Sequence, residues 1–141
     1  MNLYAESSAV LSWVLGEPGG PVAFRHLQDA EKVVSSDLTL VECDRNLHRA
    51  VSTGSLEEAR AAHARALLAS AVRLWNVLEL NAPIIARARE PFPNEPIRSL
   101  DALHVASALH ARAFLPDLAI LSLDERIRRV ATSLGFQLLP A

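Results

Sequence analysis

The sequence predicts an α/β protein with a mostly parallel central sheet covered by helices on both faces. Two observations predict it. Short apolar or β-branched runs recur at residues 3–5, 33–35, 74–80, 119–122 and 136–139, each of strand length. Helical periodicity fills the segments between them, and strands joined by helices pair in parallel with both faces buried. No repeat, linker or low-complexity tract interrupts the pattern. At 141 residues and 50% hydrophobic content, the chain fits a single domain spanning 1–141.

The first strand, 3–5, ends at Glu6, and Ser7 or Ser8 is placed to cap a helix over 9–15. The run Gly16-Glu17-Pro18-Gly19-Gly20-Pro21 is a turn, and Pro21 suits the start of a second helix ending near Ala30. After the second strand, Ser36-Asp37 reads as a cap for a helix over 38–51. Its apolar stripe is Leu40, Cys43, Leu47 and Ala50–Val51. Glu42 flanks that stripe, and Arg45 and Arg49 follow it on the same side. Thr53-Gly54 breaks the helix. Ser55 and Glu58 form a capping-box pattern for the next, which runs to about Val72.

The third strand covers 74–80, and Asn81 caps a helix that tolerates Pro83 in its first turn. Pro91, Pro93 and Pro96 impose an extended loop. Ser99 is the expected cap of a largely apolar, buried helix over 100–113. A fourth strand at 119–122 leads into a helix over 124–134, closed by Gly135, and a terminal strand follows.

The bulk numbers exclude several classes. Cys43 is the only cysteine, so an intrachain disulfide and a cysteine-rich metal site are both ruled out. The first residues lack a signal-peptide pattern, and no stretch approaches membrane-spanning length, so a cytoplasmic protein away from the membrane is expected. Net charge is −2, no global nucleic-acid signal. With four carboxylates engaged by a metal, however, twelve acids would face fourteen bases. Of those bases all but Lys32 are Arg, whose planar fork suits phosphate.

Four acids occupy comparable places. Glu6 follows the first strand, Glu42 lies in the first turn or so of the helix after the second, Asp101 is in the first turn of the buried helix, and Asp124 follows the fourth strand. Each has a plain structural explanation. Glu6 and Asp101 complement helix dipoles, Glu42 can pair with Arg45 on the surface, and a Ser122–Glu125 capping box leaves Asp124 as an exposed first-turn acid. Together they point elsewhere. In a parallel sheet the strand C-termini share one edge, so these acids can converge there. Converging carboxylates repel unless a cation neutralises them, and hard oxygen donors favour Mg²⁺ or Mn²⁺. The five histidines show no zinc-type spacing, and His104 reads as a packed, hydrogen-bonded residue.

Four segments now resemble PIN-domain proteins of the VapC toxin type. They are Tyr4-Ala5-Glu6-Ser7-Ser8-Ala9, Leu40-Val41-Glu42, Leu100-Asp101-Ala102-Leu103-His104 and Leu121-Ser122-Leu123-Asp124-Glu125-Arg126. The resemblance spans essentially the whole chain, and Leu-Asp-Ala-Leu-His is its most specific part. It implies a three-layer α/β/α PIN-like fold, an acidic pocket binding Mg²⁺ or Mn²⁺, endoribonuclease activity on RNA, and a cognate antitoxin that holds the toxin inactive. Carried over by position, it makes Glu6, Glu42, Asp101 and Asp124 the pocket, with Ser7 or Ser122 as supporting hydroxyl. The family's first acid is usually Asp, whereas Glu6 carries the same charge on a longer arm.

On that reading Glu6, Asp101 and Asp124 bind the metal, and Glu42 orients its waters or accepts a proton. Attack by water leaves a 5′-phosphate and a 3′-hydroxyl. Arg45 and Arg49 are the candidates for RNA phosphate contacts. The cluster Val10, Leu11, Trp13, Val14 and Leu15 is mostly core, and any exposed side would suit an antitoxin helix or a homodimer partner. The alternative is a catalytically weakened PIN-like module that binds RNA or a partner, with Glu6 marking lost chemistry. A small Mg²⁺-dependent phosphatase lacks support, because no Asp-x-Asp pair follows the first strand.

Overall fold

A computed structural model describes residues 1–141. Its five strands form one wholly parallel sheet in the order β3-β2-β1-β4-β5. They are β1 (Asn2–Ala5), β2 (Lys32–Ser36), β3 (Asn76–Leu78), β4 (Ala119–Leu121) and β5 (Leu138–Leu139). The seven helices are α1 (Ser7–Val14), α2 (Gly20–Asp29), α3 (Asp37–Ser52), α4 (Glu58–Val72), α5 (Ala82–Ala88), α6 (Ser99–Arg112) and α7 (Glu125–Ser133). The expected α/β class and the helix-covered sheet are both present. No helix is long and apolar enough to cross a membrane.

The period-2 alternation of the strands sorts their side chains into two cores. Leu3, Ala5, Val33, Ala119 and Leu121 face one side and pack with Ala9, Val10, Leu27, Cys43, Leu47 and Leu68 from α1–α4. Tyr4, Val34 and Ile120 face the other and meet Val105, Ala108, Ile127 and Val130 from α6 and α7. Both faces are therefore dry, which makes β1 and β4 apolar throughout. Burial between two layers pushes the Cys43 thiol up to about 12, so it stays protonated.

Strand order reverses direction at β1, which has β2 on one side and β4 on the other. In open parallel sheets this switch point opens a crevice at the strand C-termini. The register pairs Ala5 with Leu121. The next residues, Glu6 and Ser122, therefore emerge side by side at the mouth of the crevice.

Several caps differ from expectation. Ser7 and Ser8 do not cap α1; Glu6 occupies that position without a side-chain cap, and both serines turn to its carboxylate instead. Ser36 precedes α3 without capping it, because its hydroxyl bonds Tyr4. The Ser55–Glu58 capping box does not form: α4 begins at Glu58, and Ser55 Oγ donates to the Ala50 carbonyl. Ser99 is the first residue of α6, whose cap position is Arg98. Asn81 caps α5 as expected, accepting from Ile84 N at 3.1 Å. β3 is shorter than its alternation suggested, since Leu74 is 85% exposed and lies before the strand. At the α1–α2 turn, a Cβ on Gly20 would lie 2.5 Å from the Ser12 carbonyl oxygen, so only glycine allows this approach.

Candidate active site

Glu6 is 3% exposed, an unusual position for a carboxylate, and it is held by hydroxyls. Ser7 Oγ donates to Oε1 at 3.0 Å, Ser122 Oγ donates to Oε2 at 2.7 Å, and Ser8 Oγ also donates to Oε2. Both outer hydroxyls are themselves fixed from the β4–α7 turn. Ser8 Oγ accepts from Leu123 N at 2.8 Å, and Ser122 Oγ accepts from Asp124 N at 3.1 Å. The Arg128 guanidinium ties the same turn down by donating to the Ser122 and Pro140 carbonyls at 2.9 and 2.8 Å.

Glu42 lies in the second turn of α3, slightly deeper than expected, and turns inward rather than toward Arg45. Its Oε1 accepts from His104 Nε2 and, at 2.7 Å, shares with Glu6 the single proton of Ser7 Oγ. A carboxylate can only accept, so Nε2 carries a proton. The other ring nitrogen, Nδ1, meets the Tyr4 hydroxyl at 3.0 Å, and that hydroxyl meets Ser36 Oγ at 3.0 Å. A buried chain Ser36–Tyr4–His104–Glu42 thus joins β2, β1, α6 and α3. Burial raises the Tyr4 phenol well above its usual range, so it orients the imidazole without ionising. Burial also pushes the Glu42 pKa up. The hydrogen bonds from His104 and Ser7 and the His104 charge outweigh it, leaving the carboxyl below its ordinary value.

Glu6, Glu42 and His104 each present a ligand atom within 4.8 Å of the others. His104 Nε2 is 3.9 Å from Glu6 Oε1. Sequence reasoning did not place His104 in this group. The available signal was its position three residues after Asp101 on a buried helix.

Asp101 stands half-buried in the first turn of α6. Burial raises its pKa first, then the negative charge of Asp124, with a smaller push from Glu6 and partial relief from Arg126 and His104. Asp124 is not an exposed first-turn acid. It is the N-cap of α7, half-buried, with Oδ1 accepting from Arg126 N at 2.8 Å. Its Oδ2 makes no hydrogen bond to the protein. Ser122 serves Glu6 rather than a capping box. Arg45 and Arg49 stand exposed on the polar face of α3 with Asn46 and His48, and neither makes an ion pair.

The donors suit a hard divalent cation. They are carboxylate oxygens, with one imidazole nitrogen already committed to a carboxylate. Burial raises the Asp101 pKa most, and the repulsion from Asp124 that adds to it is the kind a cation relieves.

Residues 3–133 match the PIN domain family. The chain is 30% identical to Ribonuclease VapC35 of Mycobacterium tuberculosis over 135 residues, covering 94% of this chain and 92% of that protein. Among solved structures, the VapBC2 complex of Rickettsia felis bound to a DNA fragment from its promoter superposes with a TM-score of 0.65. Identity there is 10%, over 98% of this chain and 97% of that one. VapC20 of Mycobacterium tuberculosis, described as a sarcin–ricin loop cleaving toxin, superposes with a TM-score of 0.64 at 17% identity, covering 95% of each chain.

Proposed function

This chain belongs to the PIN-domain family, within its VapC ribonucleases, and from that membership we propose that it is a metal-dependent endoribonuclease, the toxin of a toxin–antitoxin pair. The observation that carries this reading is the convergence of Glu6, Glu42 and His104 at the β1/β4 crevice, with Asp101 and Asp124 bordering it. Glu6, Asp101 and Asp124 would hold Mg²⁺ or Mn²⁺, although of these three only Glu6 belongs to the close group, which Glu42 and His104 complete. When bound, the ion supplies positive charge against the scissile phosphate and acidifies water.

The chain's own residues do the rest. Ser7, Ser8 and Ser122 fix the Glu6 carboxylate so that no rotamer search precedes binding. His104 and Ser7 keep Glu42 ionised through its Oε1. Its Oε2 stays free to accept the proton that the attacking water gives up. Arg45 and Arg49, one and two turns farther along α3, hold phosphates of the RNA strand. The setting is cytoplasmic, where RNA is the substrate. The partly buried apolar residues at the end of α1, among them Trp13, which stacks on Phe24 with centroids 4.9 Å apart, take the cognate antitoxin. A homodimer partner is the rival occupant there, and sedimentation of the isolated protein separates the two.

The deciding experiment is cleavage of an RNA panel with Mg²⁺ or Mn²⁺. Cleavage that EDTA and Asp101→Asn both abolish supports the nuclease. RNA bound but uncut across the panel favours the weakened binding module instead.

A further inference from the structure

Beside the acidic crevice lies a second cavity, of about 470 Å³, which the proposed chemistry leaves unused. Arg98, Arg126 and Arg129 line it, and Asp101 closes it toward the acidic group. Some of the other arginines make structural contacts, while Arg25, Arg45, Arg49, Arg73 and Arg89 are unpartnered but stand outside this cavity. Arg128 and Arg112 donate to backbone carbonyls, Arg87 lies over Phe92, and Arg65 pairs with Glu58. Arg98 and Arg129 have no hydrogen-bond or ion-pair partner, and Arg126 has only a long 3.8 Å approach to Asp124. Three exposed guanidiniums and one carboxylate, Asp101, line the hollow, so its net charge is positive and favours an anion.

The wall of the cavity is rigid. Glu95 accepts from Phe92 N through Oε1 and from Ile97 N through Oε2, both at 3.0 Å, so the proline-rich loop is clamped from within. Phe92 anchors that loop in the core at 5% exposure. Asn94 also lines the cavity, but its buried, unpartnered Oδ1 is an acceptor, as the phosphodiester is, so it adds nothing to anion binding and the arginines alone carry the contact.

We propose that this cavity is a phosphate-binding subsite for the RNA phosphodiester next to the one being cleaved. The proposal rests on the nuclease reading for the identity of the polymer, and on the Arg98–Arg126–Arg129 hollow for the contact. It gives the RNA backbone a path. The backbone passes from Arg45 and Arg49 on α3, across the acidic crevice, to the hollow between the proline-rich loop and α7. Arginine forks suit a phosphodiester, and charge-assisted contacts of this kind are the strong ones.

The test measures affinity and cleavage in parallel on a short oligoribonucleotide that the wild type binds. Affinity is read by fluorescence anisotropy in EDTA across a salt series. The proteins are the wild type, the Arg98→Gln/Arg129→Gln double variant, the Arg98→Lys/Arg129→Lys double variant, and Arg73→Gln. Arg73 lies just before β3, at the opposite end of the sheet, and controls for lost charge. The Gln pair is expected to bind about tenfold more weakly and to lower the salt slope by about 0.7, one single-strand phosphate. The Lys pair recovers part of that affinity, and Arg73→Gln changes neither.

A neutral methylphosphonate at the neighbouring linkage should weaken the wild type to the same degree and the Gln pair no further. If the two losses multiply, or if the Gln pair keeps wild-type affinity and slope while cutting RNA, the subsite is overturned and the nuclease stands. If affinity depends on the arginines but the wild type cuts nothing, the nuclease reading fails and the hollow stands only as an RNA-phosphate contact.

Discussion

Ser122 Oγ donates to Glu6 Oε2 at 2.7 Å, joining residues 116 positions apart in the sequence. The bond exists because the β1–β4 register places the two residues next to each other, one step past the Ala5–Leu121 pair. It leaves a buried carboxylate satisfied in a place where an unsatisfied one would be costly.

Removing that hydroxyl should therefore register in stability. Ser122→Ala is expected to lower the unfolding free energy by about 1–3 kcal/mol, because Glu6 and the Asp124 amide each lose a partner. Urea denaturation with and without the substitution measures it. An unchanged midpoint would mean that Ser7 and Ser8 suffice.

Glu6→Asp tests the longer arm. The three serines are positioned for a glutamate, so the shorter side chain cannot keep all of their bonds and reach the same point. A fall of about 10–100-fold in kcat/KM is expected, in line with a displacement of about 1 Å. Gain of activity would show instead that Glu6 is a weakened form of the usual Asp.

Asp101 is ionised at a cost, set by burial and then by repulsion. Its pKa is raised, by burial first and by Asp124 next, so the ionised form costs stability at pH values above that raised pKa. Asp101→Asn should raise Tm in EDTA at neutral pH while abolishing cleavage. The advantage should shrink as pH falls through the raised pKa toward the ordinary carboxylate value, where Asp101 is protonated in both states. Thermal melts from pH 7 downward test the sign.

Metal should stabilise the wild type. A ligand that binds only the folded state at 100 times its Kd adds about 2.7 kcal/mol. Mn²⁺ or Mg²⁺ is expected to raise the wild-type Tm and to leave Asp101→Asn and Glu6→Gln nearly unmoved. Equal shifts in all three proteins would place the ion elsewhere.

His104 and Tyr4 should separate by size of effect. His104→Ala removes a buried ring and its bond to Glu42, for an expected loss of about 2–5 kcal/mol and severe loss of cleavage. Tyr4→Phe removes one hydroxyl from the same chain, for about 1 kcal/mol and a milder kinetic effect. Denaturation and single-turnover cleavage of both variants give the ranking.

Much of the fold could be read from residue pattern. The apolar runs at Leu3–Ala5 and Ala119–Leu121 are buried on both faces, and Asn81 caps its helix, because each of these depends on near neighbours. The serine caps misled because a hydroxyl near a helix start chooses between backbone N–H groups and whatever else lies close. Ser7 and Ser36 had side-chain partners from other elements, and Ser8 turned back to the carboxylate of Glu6. The same competition decided Glu42, which passed over Arg45 three residues away for an imidazole 62 residues away.

The sequence by itself determined the layers, the parallel order of events along the chain, and the residue types available at each strand end. Periodicity and turn chemistry are local, so they survive without knowledge of the packing. Only the tertiary structure decided which of those residues meet. The parallel register set Glu6 against Ser122, the crossing of α3 and α6 set Glu42 against His104, and the clamped loop set three arginines around one hollow. Long-range juxtaposition depends on how whole elements stack, and no window of neighbouring residues contains it.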